Sequence, residues 1–445
     1  MIKRRSFYAI LAAAGALPVF VWWLGWYPGF ASSDTIDQFG QIKTGVYYNF
    51  HPPVHTFYLD LLSQGGLRPG LVTLFQAVVL GVLFAYAARR LIDTGVPGWL
   101  TVAAAWGLGL SPAVAPTTLA LWKDIPFGLF FLWAWIELVG LATRTDLEGS
   151  RWRPVRLGIA LAGVWLFRGN GPITVILVAV VVVWVYRREL ATVATVIGTT
   201  GAVVLAVVGP LYGYLEVRGS GIEPAEVFLP DVAASYISEP ETFTATDVEL
   251  MEKLAPLEVW TSRYNCYDST PLVFDPAFDQ GPVRSNPDDY RRLELKVLRR
   301  DFGSVLAHRL CAANFVYSPF QPEGAYLHRP PYDIPENDVG LARAPLSWKA
   351  FTLTDRLWRW AEVEDRLWLT WRPAIVLLPA LALVVFFLLY RRRRVYLVPS
   401  TLFVAHLVNV AATSPAQEFR YAYPLYLVAV YTLTLAWPAL RPEKS

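Results

Sequence analysis

The sequence predicts an all-α polytopic membrane protein with about ten transmembrane helices. Of its 445 residues, 55% are hydrophobic and only 17% are charged, whereas soluble domains carry about 25% charged residues. Long apolar runs recur along the chain, and they are interrupted by one long polar segment at 215–370. These features predict membrane spans on both sides of one large extracytoplasmic segment, with juxtamembrane helices at the outer face.

The predicted spans follow the apolar runs in order. The first run is too long for the apolar core of a signal peptide and ends in tryptophans, so we expect a retained helix. The spans divide the chain into an N-terminal transmembrane module at 1–214, the polar segment, and a C-terminal transmembrane module at 371–445. The ten predicted spans are 7–26, 71–88, 98–115, 121–142, 155–167, 172–186, 191–214, 372–390, 395–412 and 421–440.

Basic residues in the short loops predict the orientation of the spans. With both termini in the cytoplasm, the inner segments hold 17 Lys or Arg residues and the short outer loops hold five. Because short cytoplasmic loops are enriched in Lys and Arg, this distribution predicts a multi-pass plasma-membrane protein with its polar segment outside.

The polar segment, called the outer segment below (215–370), has 25 acidic residues against 16 basic ones. Apolar spacing predicts a helix at 288–310, with Leu293, Val297 and Leu298 on one face, and an interfacial helix at 354–371. Both cysteines of the chain, Cys266 and Cys311, lie here. They are either a disulfide or two unrelated buried thiols, and the sequence favours neither.

The first outer loop, at 27–70, is unusually rich in side chains that carry chemistry. It contains Asp34, Asp37, His51 and His55, the last two around a Pro-Pro pair. A structural role is also open, because Ser33 and Asp34 suit the first positions of a helix and the prolines suit a rigid helix entry. The predicted topology nevertheless places all four side chains just outside the first span.

Three more outer loops carry ionisable groups to the same membrane face, while the span interiors are nearly free of charge. An enzyme that works at one leaflet collects such groups at one surface, whereas a proton-coupled transporter places them in mid-membrane. The alternative is that the cations among them extend toward the lipid headgroups and have no catalytic role. The residues are Lys123 and Asp124, Arg168 and Asn170, and Glu418, Arg420 and Tyr421.

The motifs in these loops resemble those of the GT-C membrane glycosyltransferases. The first loop, "YPGFASSDTIDQFGQ" followed by "NFHPPVHT", is similar to that of the dolichyl-phosphate-mannose protein mannosyltransferases and the aminoarabinose transferase of lipid A. "LWKDIPF", "LFRGNG" and "EFRYAYP" resemble a poorly characterised bacterial subfamily. The resemblance spans 1–214 and 372–445. Many relatives have two adjacent acids in the first loop, whereas Asp34 and Asp37 are separated by two residues.

The resemblance implies transfer of a sugar, with inversion, from a polyprenyl-phosphate carrier to an extracytoplasmic protein, lipid or polysaccharide. It implies a catalytic base at Asp34, with Asp37 as the second acid. It names no certain cofactor, and a divalent cation at Asp34 stays open. The resemblance implies donor phosphate binding by Arg168, Arg420 and Lys123, and substrate binding or orientation by His51, His55, Asp124, Asn170, Glu418 and Tyr421.

Two other functions stay open at this stage. A transporter or flippase for lipid-linked glycans needs a polar central path, which the charge-poor spans do not suggest. An O-antigen ligase or polymerase shares the spans and the large outer segment. The chain has no nucleotide-binding motif and no signal for nucleic-acid binding, so a lipid-linked donor within the bilayer is the expected partner.

Overall fold

A computed structural model describes residues 2–143, 152–219, 223–391 and 394–440, with side chains described except at 2–4, 223–226 and 391. Within these residues the fold is all-helical, and the extended pairings are four isolated β-bridges. Six of the predicted cytoplasmic basic residues lie outside the described residues: Arg144, Arg151, Arg392, Arg393, Arg441 and Lys444.

Apolar helices make up most of the N- and C-terminal parts of the chain, and shorter, more polar helices are grouped in the outer segment and the first outer loop. The α-helices are Ile2–Ala13, Leu17–Trp26, Ser33–Thr44, Pro53–Ser63, Gly70–Asp93, Gly98–Leu110, Val114–Thr118, Asp124–Thr143, Arg153–Leu166, Gly171–Val185, Leu190–Ala206, Tyr212–Tyr214, Glu223–Ser238, Ala245–Glu252, Leu257–Ser262, Thr270–Val273, Gly281–Ser285, Pro287–Arg300, Phe302–Ala312, Asn314–Tyr317, Trp348–Ala361, Leu367–Thr370, Ala374–Phe386, Arg394–Thr413, Phe419–Thr434 and Ala436–Ala439.

Six helical stretches are long and apolar enough to cross a membrane. They are Arg5–Trp26, Gly70–Asp93, Asp124–Thr143, Leu190–Tyr214, Glu364–Tyr390 and Arg394–Thr413. The polytopic helical prediction is therefore confirmed, and six of the ten predicted spans are among these stretches.

The other four predicted spans form shorter helices, so the number ten stays a prediction. Gly98–Leu110 is the first; it stops before Ser111-Pro112 because proline disfavours helical geometry in the residue before it. The other three are Arg153–Leu166, Gly171–Val185 and Phe419–Thr434.

The acidic side chain of Glu137, inside the helix bundle, forms an ion pair with a neighbouring arginine. Glu137 is fully buried in the span Asp124–Thr143 and lies 2.8 Å from Arg156 Nε. It also accepts hydrogen bonds from the Tyr86 hydroxyl and the Trp133 indole. An intramembrane carboxylate with an arginine partner and two neutral donors is stabilised as part of the packing.

The first outer loop folds into two short helices. Ser32 is the N-cap of Ser33–Thr44, and its backbone N–H donates to the Thr35 hydroxyl at 3.3 Å. The helix ends at Gly45 in the left-handed region (φ 68°). Pro53 opens the second helix, where a missing N–H costs nothing. Ser33 and Asp34 occupy the first two positions of the first helix, as the structural alternative predicts, and the N-cap itself is Ser32.

The outer segment has its own hydrophobic core between residues 229 and 305. The single helix expected at 288–310 is in fact two, because Asp301 leaves helical geometry (φ −130°) and its carboxylate accepts the Ser304 N–H to cap the second helix. Leu293 and Val297 are buried as expected, but Leu298 is 41% exposed. Tyr290 completes the buried face instead, because it is three residues before Leu293 and shares its face.

The interfacial helix expected at 354–371 is also shifted. It runs from Trp348 to Ala361 and packs against the first span. The Trp26 indole donates to the Thr354 hydroxyl at 2.8 Å. Gly25 allows this close approach, because a Cβ there would lie 2.7 Å from the Phe351 nitrogen. The outer segment is therefore fastened to the membrane helices.

Cys266 and Cys311 form a disulfide, which resolves the alternative left open by the sequence. The bond joins two parts of the outer segment separated by 45 residues. Gln417, just before the last long helix, donates to the Cys311 carbonyl at 3.2 Å. Arg372 donates to the Gln417 side chain at 3.0 Å and to Asn314 at 2.7 Å. The disulfide and Arg372 together support the chain that leads to Glu418 and Arg420.

Candidate active site

Two outer loops are joined by backbone and side-chain bonds beneath the site. Phe30 N–H donates to Leu119 O at 2.9 Å, and Leu121 N–H donates to Phe30 O at 2.8 Å. The Thr35 hydroxyl donates to Leu121 O, and the Trp122 indole donates to the Ser32 hydroxyl. The helix that carries Asp34 and the turn that carries Lys123 and Asp124 are thereby held in one register.

Asp34 and Arg420, 386 residues apart in sequence, meet at this end of the bundle. Arg420 Nη1 lies 2.9 Å from Asp34 Oδ2. The Asp34 side chain is 29% exposed and remains accessible from outside the protein. Burial raises the pKa of Asp34, but Arg420, Lys123 and His51 outweigh burial, and the resulting pKa lies well below its ordinary value.

Glu418 completes the surroundings of Arg420. Its carboxylate pairs with Arg420 Nε and accepts a second bond from Nη2 at 3.1 Å. The Tyr421 hydroxyl donates to Glu418 Oε1 at 3.1 Å. The guanidinium also lies over the Trp122 ring, 5.0 Å from its centroid. Arg420 is therefore held in place from three sides.

Asp124 and Arg168 form a second ion pair, deeper than the first. Arg168 Nη1 lies 2.8 Å from Asp124 Oδ1, and Arg420 Nε lies 3.9 Å from Asp124 Oδ2. Asp124 is fully buried, and neither of its oxygens accepts a hydrogen bond from the described residues. The Arg168 guanidinium packs over the rings of Phe127 and Tyr421. This pair links the turn at 168 to the two loops already described.

Lys123 differs from the two arginines in its partner. Its ammonium lies 2.9 Å from His51 Nδ1, and within the described residues no carboxylate comes within 4.0 Å of it. Burial, followed by the charge of Lys123, lowers the pKa of His51 to about 3. His51 is thus neutral and accepts the bond from Lys123. Lys123 is the cation in this cluster with the least direct neutralisation.

The other first-loop residues lie at the rim or beneath the site. The Asp37 side chain is 57% exposed and accepts a bond from Gln41, and His51 Nε2 lies 4.0 Å away. His55 is buried, and its Nδ1 is 3.0 Å from Gln38 Oε1. Gln38 in turn donates to the Thr56 hydroxyl. His55 therefore supports the loop from below, and its Nε2 has no hydrogen-bond partner among the residues that the structure describes.

Asn170 is the predicted site residue that the structure places elsewhere. Its amide donates to the Thr413 hydroxyl at 2.7 Å, and its carbonyl accepts a bond from Asn409 at 2.8 Å. These contacts join the turn before Gly171–Val185 to the end of Arg394–Thr413. Its neighbour Arg168 reaches the ionic cluster, whereas Asn170 stabilises the turn.

The ionic cluster thus contains Lys123, Arg168 and Arg420 with Asp34, Asp124 and Glu418. Sequence reasoning missed Ser32 and Trp122, which position its loops, and Asp268 and His328, which approach it from the outer segment. Trp122 precedes the Lys-Asp pair and could have been noticed, whereas Asp268 and His328 carried no motif. Among the described residues, no group of three His, Cys, Asp or Glu side chains is arranged to hold a metal ion.

Comparisons with known proteins give one structural similarity. No family model and no curated protein matches the chain. A solved structure, that of the S. cerevisiae protein O-mannosyltransferase Pmt1-Pmt2 complex bound to the sugar donor, matches at 18% sequence identity with a TM-score of 0.41. The match covers 50% of this chain and 36% of that chain. A TM-score this low does not establish a shared fold.

Proposed function

We propose that the protein is a membrane glycosyltransferase that moves a sugar from a polyprenyl-phosphate carrier to an extracytoplasmic acceptor with inversion. The observation that carries the proposal is the ionic cluster, in which a partly exposed carboxylate, Asp34, lies beside cations suited to a phosphate. Four separate loops contribute to it. A stability role alone does not require six charges at one end of a membrane bundle, since burying charge is costly.

In the proposed reaction, the acceptor hydroxyl oxygen attacks C1 of the sugar while the bond between C1 and the phosphate oxygen breaks. The hydroxyl proton passes to Asp34, and the electron pair of the broken bond stays on the lipid phosphate. Lys123 and Arg420 stabilise the charge that develops on that phosphate. Attack from the face opposite the leaving group gives inversion.

The pairing of Asp34 with Arg420 bears on how the base is activated. In the ion pair the carboxylate is a weak base, because the guanidinium favours its charged form. A donor phosphate bound to Arg420 competes for the same N–H groups. Loosening of the pair raises the proton affinity of Asp34 when the donor is in place.

The three proposed phosphate ligands differ in how much of their charge is already balanced by neighbouring side chains. Lys123 faces a neutral histidine, so its charge is the most available to a donor. Arg168 is buried against Asp124 and two aromatic rings, which suits it to hold the site together. Asp124 and Tyr421 then orient the cations, and Asp37 stands at the rim.

The proposed function is tested by comparing envelope glycans from cells with the gene, without it, and with Asp34→Asn or Asp37→Asn. We expect the deletion to remove one glycan, and Asp34→Asn to lower its formation about 10²-fold or more, the usual scale for a lost general base. Asp37→Asn is the matched control, one helical turn away, and should retain most activity. Normal glycans in the Asp34→Asn strain, with the protein present in the membrane, would exclude this mechanism.

A further inference from the structure

The segment 415–418, just before the helix that carries Arg420, lies between two parts of the outer segment. On one side, Ser269 N–H donates to Pro415 O at 2.9 Å and Gln417 N–H donates to Tyr267 O at 3.0 Å. On the other side, His328 N–H donates to Gln417 O at 2.8 Å and Phe419 N–H donates to His328 O at 3.0 Å. The outer segment therefore reaches the site through backbone bonds.

These pairings bring Asp268 and His328 to one face. Asp268 is paired with Ala416, and His328 is paired with Glu418. Side chains two residues apart on an extended chain point the same way, so Asp268, His328 and Glu418 share a face. Ala416 lies between them and is small, which leaves room for His328 Nε2 to bond Asp268 Oδ2 at 2.8 Å.

Hydrogen bonds to both oxygens hold the Asp268 carboxylate in the orientation that bonds His328. Its second oxygen, Oδ1, accepts the backbone N–H of Thr270 at 3.0 Å and the Thr270 hydroxyl at 2.5 Å. With both oxygens bonded, the carboxylate orients the imidazole through Nε2. A carboxylate that orients a histidine leaves the other ring nitrogen free to act on a ligand.

The free nitrogen of His328 is Nδ1. The His328 side chain is 40% exposed, and Nδ1 has no partner among the described residues. Burial lowers the pKa of His328, but the Asp268 bond and the charges of Glu418 and Asp268 outweigh it, and the net pKa is raised. Arg420 acts in the opposite direction, and Tyr326 contacts the ring edge-to-face at 5.0 Å.

We infer that His328, oriented by Asp268, accepts through Nδ1 a hydrogen bond from a hydroxyl group of the glycosyl acceptor other than the attacking one, and so holds the acceptor beside the Asp34–Arg420 pair. This inference rests on the proposed function and adds an acceptor-binding group to it. The donor phosphate is held by groups on the membrane helices and their loops, whereas the acceptor arrives from outside. An acceptor ligand on the outer segment, on the same face as Glu418, fits that division.

Two substitutions separate acceptor binding from a structural tie. His328→Gln places an amide near the Nε2 position, so it keeps a bond to Asp268 but removes Nδ1. His328→Asn places a polar atom near the Nδ1 position and loses the bond to Asp268. We expect His328→Gln to lower formation of the envelope glycan about tenfold, equivalent to about 1.4 kcal/mol, and His328→Asn to retain more activity than His328→Gln.

The donor site is monitored independently by the binding of polyprenyl monophosphate to purified protein, measured as an upward shift of the unfolding temperature. We expect wild type and His328→Gln to show the same shift. Full glycan formation by His328→Gln, or loss of both glycan and lipid-phosphate binding, would show that His328 only supports the fold. If deletion of the gene changes no envelope glycan, the proposed function is wrong, and this inference fails with it.

Discussion

At the scale of the residue, the charges of the cluster differ in how available they are. Asp34 is paired yet partly exposed, Asp124 is paired and buried, and Lys123 faces a neutral imidazole. Residue type alone would treat the three cations as equivalent phosphate ligands. Under the proposed function, these contacts favour Lys123 as the phosphate ligand and Arg168 as a residue that holds the loops together.

This difference predicts the effects of two lysine substitutions. Lys123→Gln should reduce affinity for polyprenyl monophosphate about 10-fold or more, because a charge-assisted bond to phosphate is worth about 1.5–3 kcal/mol. Lys43→Gln is the control, since Lys43 is a lysine of the first outer loop whose ammonium donates to the Asp338 backbone carbonyl and is in no ion pair among the described residues. The measurement is thermal stabilisation by the lipid phosphate in detergent. Equal affinities for the two variants would remove Lys123 from the donor site.

The protonation of the site predicts its pH dependence. The pKa of Asp34 is lowered, so its ion pair with Arg420 is complete above the ordinary carboxyl pKa of about 3.9 and is lost only as the pH falls through the lower folded value. The pKa of His51 is lowered to about 3. Neither group titrates between about pH 5 and 8.

We therefore expect hydrolysis of a synthetic polyprenyl-phosphate sugar to be flat over that range, since its phosphodiester keeps one charge throughout. Transfer to an acceptor should instead decline at the acidic end, because the raised pKa of His328 makes the ring a donor where the hydroxyl needs an acceptor. His328→Gln should abolish that decline. An acidic decline in hydrolysis that disappears in His51→Gln would contradict these assignments.

At the scale of the element, the site depends on how the chain enters the helix Phe419–Thr434. Residues 415–418 are bonded on both sides by the outer segment, and Gln417 is bonded by Arg372. Arg372 is 1% exposed and also donates to the Ser318 carbonyl at 3.1 Å. Removing it leaves the buried Gln417 side-chain oxygen, the half-buried Asn314 side chain and the half-buried Ser318 carbonyl without this donor.

Arg372→Ala should accordingly lower the free energy of unfolding by more than about 2 kcal/mol, the range for lost bonds to a buried charge. Arg359→Ala is the control: its side chain is 68% exposed and pairs with Asp355 on the helix surface, where solvent screening makes the contact weak. Thermal unfolding in detergent compares the two. A smaller loss at Arg372 than at Arg359 would show that the Gln417 support is dispensable.

At the scale of the whole molecule, the described chain contains six long apolar helices, and the four loops of the ionic cluster meet at one end of the helix bundle. All ionic-cluster residues lie at helix starts or in loops at one end of the bundle, and the outer segment contacts the same end. The basic loops predict that this end faces away from the cytoplasm. With that orientation, the proposed function requires a donor that is carried across the membrane by its lipid.

Single cysteines test that orientation. A cysteine at Ser285, exposed in the outer segment, should react with a membrane-impermeant maleimide in intact cells. A cysteine at Arg188, exposed in the turn after Gly171–Val185, should react only after the membrane is opened. The native cysteines are joined in a disulfide and give no background. The reverse labelling pattern would place the site in the cytoplasm and remove the argument for a lipid-linked donor.

The sequence by itself determined the helical membrane architecture and the residues at the centre of the cluster. Both depend on local properties: apolar runs long enough to span a bilayer are visible in the chain, and so are charges placed directly at their ends. Asp34, Lys123, Asp124, Arg168, Glu418 and Arg420 were all named from that placement. The order of the predicted spans also predicted that these residues share one membrane face.

Only the tertiary structure decided how these charges pair and what supports them. Ion pairs such as Asp34 with Arg420 join residues 386 positions apart, and no local pattern records such a distance. The same holds for the disulfide and for Asp268 with His328, which meet because both flank residues 415–418. Residues close in sequence can also separate in the fold: Arg168 reaches the cluster, whereas the side-chain amide of Asn170, two residues later, donates to the Thr413 hydroxyl. Side-chain direction in a turn is set by packing between helices, and that packing exists only in the folded chain.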